Sequence, residues 1–357
     1  PPVLYALDAR TGEVLWKTQS DVFGTWLSYS AKHDVVVQAG SASRDRARDE
    51  ISKGIVVYRG GTGEVVWKDL SSQHGGPLIL WRDELITNGN AGMGLDLMTG
   101  KPTGWQWSRK YGCNTAIAGQ HLLTFRSGAA GYYDLATRSG TGNLGGFKSS
   151  CTSNLIPADG VLNAPDYTRT CSCSYQNQAS LALIHMPDME MWTFGGQPAK
   201  NGSRGFNLGA PGERRSPSGT LWTPVTEEGA EGVTVEAAGV FCQHAMLLEG
   251  EALPWVAASG LRGVSSIVVN VPAGTYTVRL HFSEPEAVEA GARVFDVSLQ
   301  GKPVLRDFDV MEIAGAPNRA LTRQFEDVVV EQSIELGFIA KQGDPILCGL
   351  ELIPKQP

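Results

Sequence analysis

The sequence predicts an all-β protein with two domains. Short apolar runs alternate with turn residues along most of its 357 residues, of which 43 are Gly and 19 are Pro, and this patterning is typical of sheets joined by tight turns. A strand–turn–strand pattern recurs in the N-terminal part and is absent from the C-terminal part. The change predicts two different β architectures, and the chain is long enough for each to bury a core.

The clearest repeat lies at the beginning of the sequence. Apolar runs at 3–7 and 14–16 flank a corner that reads Asp8-Ala-Arg-Thr11-Gly12. The Asp side chain can accept hydrogen bonds from amides two or three residues further on, and Gly12 tolerates the positive φ that a tight corner requires. The pattern therefore predicts a β-hairpin, and Trp16 ends its second strand.

This hairpin recurs with decreasing fidelity along the N-terminal part. The copies follow one another at about 37 to 51 residues, which matches the length of a four-stranded propeller blade. The later copies are Tyr58–Trp67, Asp96–Trp105, Tyr132–Arg138 and Leu181–Trp192. We therefore expect about four to five blades within residues 1–194.

The pattern Ala-x-Asp-x-x-Thr-Gly-x-x-x-Trp of residues 6–16 resembles the blade motif of quinoprotein-like β-propellers, the pyrroloquinoline-quinone (PQQ) repeat family. The resemblance implies that the Trp and the Asp-Thr-Gly corner staple neighbouring blades together on the outside, away from the central channel. It also implies a ring of seven or eight blades. We therefore expect a partial propeller that another chain or a preceding part of a larger protein completes.

Composition disfavours nucleic-acid binding and indicates the cellular compartment in which the protein works. The net charge of −7 and a pI near 5.5 disfavour a nucleic-acid partner, because no basic field attracts phosphates. No apolar run is long enough for a membrane span. The six cysteines predict disulfides in an oxidising compartment, with buried free thiols as the alternative. They are Cys113, Cys151, Cys171 and Cys173, whose pairing stays open, and Cys242 and Cys348, which we expect to pair with each other.

The residue pattern of the sequence changes after residue 194. Residues 195–220 are rich in Gly, Pro, Ser and Asn and predict a linker. Strands follow at high density within residues 221–357 and predict a β-sandwich. We expect them at about 232–240, 264–271, 274–283, 292–300, 321–330, 332–340 and 345–353.

Residues 265–353 resemble the malectin family of carbohydrate-binding jelly-roll sandwiches. The motifs that carry the resemblance are Thr275–Glu284, Arg293–Lys302, Asp307–Val310 and Pro345–Glu351. The resemblance implies a jelly-roll fold and places Asp344 where the family has a loop Asp before the closing strand.

The family's aromatic pair is absent, because Ser283 to Val288 occupies its place. Glu284 from that segment and Trp255, if exposed, are therefore the other candidate carbohydrate-binding residues, since sugars need aromatic faces and carboxylates. The alternative is that the sandwich serves only for docking or as a spacer.

A polar insert at residues 151–175 is the candidate site of the propeller part. Asn163, Asp166, Arg169 and Tyr175 could line a pocket on one propeller face, or the insert could be a disulfide-held cap on the channel. A quinoprotein dehydrogenase would need PQQ, calcium and a vicinal cysteine pair. Cys171-Ser-Cys173 is not vicinal, so we assign no catalytic residue, metal ligand or cofactor, and catalysis stays an open but less favoured possibility.

These observations predict an exported protein of bacterial type, located in the periplasm or at the cell surface. Its predicted ligand is a carbohydrate or a protein, bound through the malectin-like domain on a propeller scaffold. Two alternatives stay open. One is a fragment of a PQQ-dependent alcohol or sugar dehydrogenase, and the other is a structural subunit of an extracellular assembly.

Overall fold

The computed structural model describes residues 2–23, 26–40, 51–148, 155–165, 179–184, 186, 189–250 and 253–355. The chain divides into two compact units, unit 1 (Pro1–His185) and unit 2 (Met186–Pro357). Both units consist of strands and turns, and among the described residues short helices occur only in unit 2. The predicted all-β class is therefore confirmed.

Unit 1 consists of consecutive antiparallel sheets. Its strands are β1 (Leu4–Leu7), β2 (Val14–Thr18), β3 (Trp26–Ser30), β4 (Val35–Ala39), β5 (Ile55–Arg59), β6 (Val65–Asp69), β7 (Ile79–Trp81), β8 (Glu84–Ile86), β9 (Ala91–Asp96), β10 (Pro102–Ser108), β11 (Ile117–Ala118), β12 (Leu122–Ser127), β13 (Ala129–Asp134), β14 (Thr141–Asn143), β15 (Ile156–Ala158), β16 (Val161–Ala164) and β17 (Leu181–Ile184). The strands β3–β6, β7–β10 and β11–β14 each form a four-stranded meander. A four-stranded meander is the unit that the prediction of propeller blades requires, and the hairpin β1–β2 precedes these meanders.

The Asp corners form as the sequence predicts. One Oδ of Asp8 accepts hydrogen bonds from the amides of Arg10 and Thr11, both at 2.8 Å. Asp96 and Asp134 cap their own corners in the same way. These bonds satisfy amides that the tight turn leaves without a ladder partner, so each corner fixes the register of its hairpin.

Neighbouring sheets of unit 1 stack through apolar faces. One buried cluster joins Val37 and Val57 of the first meander to Leu85 and Leu97 of the second. A further cluster, containing Trp107 and Phe125 among others, joins the second meander to the third. Consecutive meanders that pack face to face are the arrangement that propeller blades require.

Unit 2 begins with short strands and continues into longer ones. Its strands are β18 (Thr193–Phe194), β19 (Arg204–Leu208), β20 (Arg214–Arg215), β21 (Leu221–Val225), β22 (Val233–Glu236), β23 (Gly239–Cys242), β24 (Ser259–Arg262), β25 (Ser266–Asn270), β26 (Gly274–Phe282), β27 (Val294–Leu299), β28 (Lys302–Phe308), β29 (Leu321–Val330), β30 (Ser333–Gln342), β31 (Ile346–Leu347) and β32 (Gly349–Pro354). A 3-10 helix spans Ala245–Leu247, and two α-helices are α1 (Pro254–Ala257) and α2 (Val310–Ala314).

The strands of unit 2 form a β-sandwich. One sheet has the order β20-β21-β19-β32-β26-β29, the other has the order β22-β25-β30-β27-β28, and β23-β24-β31 form a third, smaller sheet. Alternate residues of β26, such as Val278 and Leu280, point into a core that also contains Val297 and Leu336 of the facing sheet. Phe282 and Phe295 lie in this core, as their alternation in the sequence predicts.

The predicted linker at 195–220 differs from the structure. Within it, β19 pairs with β32 on one side and with β21 on the other, so it is an internal strand of the six-stranded sheet. Phe206 and Leu208 of β19 belong to the core. The Gly and Pro content reflects the turns around short strands, and the pairing of β19 with β32 joins residues too distant in sequence for composition to reveal.

The predicted disulfide between Cys242 and Cys348 is wrong, because both are free cysteines. Cys242 ends β23 and Cys348 directly follows β31, while β24 lies between these two strands. Two strand spacings of about 4.8 Å each exceed the Cα separation of at most about 6.8 Å that a disulfide spans. The alternative of a buried thiol holds for Cys348, whose Sγ lies 3.6 Å from the Ala257 carbonyl.

The remaining cysteines belong to unit 1. Cys113 is free and exposed, and its Sγ lies 3.1 Å from the Tyr111 hydroxyl. The cysteines for which the sequence leaves the pairing open also include three that lie outside the described residues: Cys151, Cys171 and Cys173.

Candidate functional site

Trp255 is buried and cannot offer a flat face to a sugar. It belongs to α1 and is only 7% exposed. Its ring meets Trp222 edge to face at a centroid distance of 5.9 Å and Trp192 at 6.3 Å. These aromatic rings cover the outer side of the six-stranded sheet as a small second core. The expectation that Trp255 binds carbohydrate is therefore wrong.

Glu284 is also unavailable to a ligand. Its side chain is fully buried at the end of β26, and the Arg293 Nε donates to its Oε2 at 2.7 Å. The Arg293 side chain is itself only 9% exposed. A buried carboxylate is stable only with such a partner, so Glu284 holds the loop that connects β26 to β27.

Asp344 lies where a ligand can reach it. It is exposed on the turn between β30 and β31, directly after Gly343, whose φ is 61°. Its backbone carbonyl accepts a hydrogen bond from the Nη1 of Arg293. Within the described residues its carboxylate makes no hydrogen bond or ion pair. Arg293 therefore fixes the backbone of the turn, while the Asp344 carboxylate faces water.

Two further charged residues surround this turn. Arg262 ends β24 and donates to the Oε1 of Glu286, and Arg293 Nη2 lies 3.4 Å from the other Glu286 oxygen. The hydrogen bond from Arg262 lowers the pKa of Glu286, an effect that exceeds the opposing influence of burial. The residues Arg262, Glu284, Glu286, Arg293 and Asp344 are called the charged edge below.

The charged edge carries one unbalanced negative charge. Glu284 and Glu286 are matched by Arg293 and Arg262, whereas Asp344 has no cation of its own among the described residues. Phe241 on β23 lies next to this group, with the Arg262 Cζ 5.7 Å from its ring centre. The edge thus combines a free acceptor, a half-exposed guanidinium and an aromatic ring.

Of these residues the sequence analysis named Asp344, through the resemblance to malectin, and Glu284, and it did not name Arg262, Glu286, Arg293 or Phe241 as site residues. The only available signal was Glu-Pro-Glu at 284–286, since alternation after a strand places two carboxylates beside each other. The partner arginines come from β24 and from the residue before β27, and only the folded sheet brings them together.

The predicted pocket of unit 1 is only partly described. Asn163 is exposed on β16, and its Nδ2 donates to the Ile156 carbonyl at 3.4 Å across the hairpin. Asp166, Arg169 and Tyr175 lie outside the described residues. The pocket therefore stays a prediction.

The described residues contain neither a grouped set of metal-ligating His, Cys, Asp and Glu side chains nor a helix that could span a membrane. Among the residues that the structure describes, no group of three or more His, Cys, Asp or Glu side chains is arranged to hold a metal ion. The helices in the same ranges contain three to five residues, too few to cross a bilayer.

Comparison with known proteins identifies part of unit 2. Residues 263–348 match the family model of the malectin domain. The resemblance of the C-terminal part to malectin is thus confirmed for these residues, which include all of the charged edge except Arg262. No curated protein matches the chain.

Several solved structures are similar to parts of the chain. A β-glucuronidase of Bacteroides uniformis is 16% identical with a TM-score of 0.38, and the match covers 55% of this chain and 22% of the enzyme. The ANXUR2 extracellular domain of Arabidopsis thaliana is 14% identical with a TM-score of 0.36, over 43% of this chain and 48% of that domain. BamB of Moraxella catarrhalis is 18% identical with a TM-score of 0.32, over 43% and 50%. The chain thus spans less than a quarter of the first of these proteins and about half of the other two.

Proposed function

We propose that this chain is an exported binding protein whose malectin domain binds a carbohydrate at the charged edge. The observation that carries the proposal is the state of Asp344. Its carboxylate is exposed and has no partner in the described structure, yet its backbone is anchored by the buried Arg293. A carboxylate held in this way can accept hydrogen bonds from two neighbouring sugar hydroxyls at little cost in conformational entropy.

The neighbours of Asp344 support a carbohydrate ligand. Arg262 supplies donors for ring or hydroxyl oxygens, and Phe241 supplies apolar surface next to them. Because Arg262 is also bound to Glu286, its position is fixed before a ligand arrives. Groups that are already in place favour selectivity among sugars of similar size.

Unit 1 is proposed to act as a propeller scaffold of the PQQ-repeat type. Its meanders, capped corners and stacked apolar faces support this assignment. The proposed location is the periplasm or the cell surface, where a carbohydrate-binding domain meets its ligands.

A glycan array with the full chain tests the proposal. We expect binding to a restricted set of oligosaccharides that share one terminal or internal disaccharide unit. The array should be repeated with a variant that carries Trp255→Phe, because the buried Trp255 is expected to leave the set of bound glycans unchanged. Absence of binding to any carbohydrate would overturn the proposed ligand class and favour a protein ligand.

A further inference from the structure

Two segments of unit 2 expose side chains that carry sulfur or an imidazole. Met186 and Met189 belong to the segment before β18 and are 64% and 51% exposed. Cys242, His244 and Met246 belong to the segment where β23 ends and the 3-10 helix begins, and all three are exposed. Methionine usually fills gaps in a core, so thioethers that remain in water are available to a ligand.

The second segment places a thiol and an imidazole on the same side. Cys242 ends β23, and the backbone of His244 is still extended, with φ −76° and ψ 136°. Because side chains alternate along an extended chain, Cys242 and His244 point in the same direction. Gln243 points the other way, and its Nε2 donates to the Asn318 Oδ1 at 2.7 Å.

Glu190 joins the first segment to the second. Its Oε1 accepts a hydrogen bond from the Ala245 amide at 2.6 Å and lies 3.9 Å from the Nδ1 of His244. Burial and, after it, the Glu190 carboxylate raise the pKa of Cys242. The Glu190 carboxylate therefore lies close to both the thiol and the imidazole.

The methionines of the first segment accompany Glu190. Met189 directly precedes it, and the Met189 amide donates to the Met186 carbonyl at 3.1 Å. The contacts of Glu190 thus bring these thioethers to the part of unit 2 that carries the thiol and the imidazole. The two segments are about 50 residues apart in the sequence, so only the fold brings them together.

This donor set is selective for a soft monovalent metal ion. Thioether and thiolate ligands favour Cu(I), whereas Ca²⁺ and Mg²⁺ require oxygen ligands. Zn²⁺ takes its ligands from Cys, His, Asp and Glu. Across the described residues no three side chains of these four types are arranged to hold a metal ion. A complete ligand set therefore needs the methionine sulfurs, which favours Cu(I) over Zn²⁺.

Glu190 is placed to orient a metal-bound His244. The Nδ1 of His244 accepts a hydrogen bond from the Met246 amide at 3.2 Å, so the neutral ring carries its proton on Nε2. Coordination through Nε2 moves this proton to Nδ1, which then faces the Glu190 carboxylate. A carboxylate in this position fixes the tautomer and the orientation of a metal-bound imidazole. Its negative charge also offsets the charge of a monovalent cation.

We infer that unit 2 contains a binding site for Cu(I). Its ligands are Cys242, His244, Met189 and Met246. Glu190 acts as the positioning residue behind the imidazole. The site is independent of carbohydrate binding at the charged edge and of the proposed propeller scaffold.

A silver titration of the full chain, followed by NMR, tests the inference. Ag(I) is a redox-inert analogue of Cu(I), and the methionine methyl groups are labelled with ¹³C. The methyl resonances of Met189 and Met246 should shift in a saturable manner, whereas that of Met311 in α2 should not. The same two resonances should respond to Cu(I) under ascorbate and should not respond to Zn²⁺ at the same concentration.

Three variants separate this site from other thiols. Cys242→Ser removes a ligand and should raise the free Ag(I) concentration needed for half of the shift about tenfold or more. Glu190→Gln should raise it by about tenfold, because it weakens the hold on the imidazole. The matched control Cys113→Ser alters another free, exposed cysteine, which lies in unit 1, and should leave the titration unchanged.

Two results would overturn the inference. One is that the Met189 and Met246 resonances stay in place while the protein takes up Ag(I), since thiols elsewhere would then account for the uptake. The other is a shift that Cys242→Ser does not weaken or that Zn²⁺ reproduces. Glycan binding by the Cys242→Ser protein should equal that of wild type whichever result is obtained.

Discussion

The indole of Trp16 rests directly on the backbone of Gly63. Two ring atoms lie 2.7 Å from the position that a Cβ on Gly63 would occupy, and the indole Nε1 donates to the Gly60 carbonyl at 2.6 Å. Trp67 and Gly100 have the same relationship one repeat later. At these two positions the indole thus requires a corner residue without a side chain.

The contact between Trp16 and Gly63 predicts that the same Gly→Ala substitution destabilises unit 1 more at Gly63 than at Gly12. Gly63→Ala and Gly12→Ala introduce the same methyl group at nearly the same φ, 75° and 73°, but only the first places it against an indole. Gly63→Ala should therefore lower the free energy of unfolding of unit 1 by about 1–3 kcal/mol more than Gly12→Ala. Hydrogen exchange of unit 1 amides measures this difference, and equal effects would contradict this contact.

The buried pair Glu284 and Arg293 predicts a large loss of stability when one partner is removed. Arg293→Met leaves the fully buried Glu284 without its cation and should cost about 3–5 kcal/mol. The control Arg262→Met breaks the half-exposed bridge to Glu286 and should cost at most about 1 kcal/mol. Denaturant unfolding of unit 2 measures both. A cost of at most about 1 kcal/mol for Arg293→Met as well would show that the buried Glu284 does not depend on its pairing with Arg293.

His281 predicts a pH dependence of unit 2. Burial, assisted by repulsion from Arg279, lowers the pKa of His281 from 6.5 to about 4. The unfolded chain therefore binds the proton more strongly than the folded chain does. Stability should fall by up to about 3 kcal/mol between pH 6.5 and pH 4, with no further loss from this residue below pH 4.

The variant His281→Gln isolates that contribution. Its unfolding free energy, measured across the same pH range, should lack the part of the slope that wild type shows between pH 6.5 and pH 4. Identical slopes in the two proteins would mean that His281 is accessible to protons in the folded state.

The cysteines of unit 2 predict two distinct thiol reactivities. Burial raises the pKa of the Cys348 thiol, and its side chain is 0% exposed, so iodoacetamide should modify it only after unfolding. Cys242 is exposed and should react in the native protein, but only at clearly alkaline pH, because partial burial and the nearby Glu190 raise its pKa as well. Mass spectrometry of the unreduced digest provides the check, and a peptide in which Cys242 is linked to Cys348 would contradict the fold of β23, β24 and β31.

Sequence reasoning reached the local architecture of both units. The Asp8 corner and its copies were predictable because capping and positive φ depend on residues only a few positions apart. The long strands β26, β29 and β30 were predictable from alternation for the same reason. The segment containing β19 was misread as a linker, since its pairing with β32 depends on residues far away in the chain.

The candidate site was predicted less well than the fold. Trp255 is a residue type that can stack on a sugar ring, but the packing of Trp192 and Trp222 around it buries its side chain. Glu284 has a charge that suggests the surface, but Arg293 makes its burial possible. Asp344 was named because the resemblance to malectin places it at the family's loop Asp before the closing strand, and the structure shows it exposed on a turn.

The central claim is that Asp344 binds carbohydrate, and a calorimetric titration tests it most directly. The strongest glycan from the array is titrated into wild type, Asp344→Asn and Glu331→Gln. Glu331 is an exposed acid on the turn before β30, whereas Asp344 follows the other end of this ten-residue strand. Asp344→Asn should weaken binding about tenfold or more, and Glu331→Gln should leave it unchanged. Equal affinity of all three proteins would contradict carbohydrate binding by Asp344.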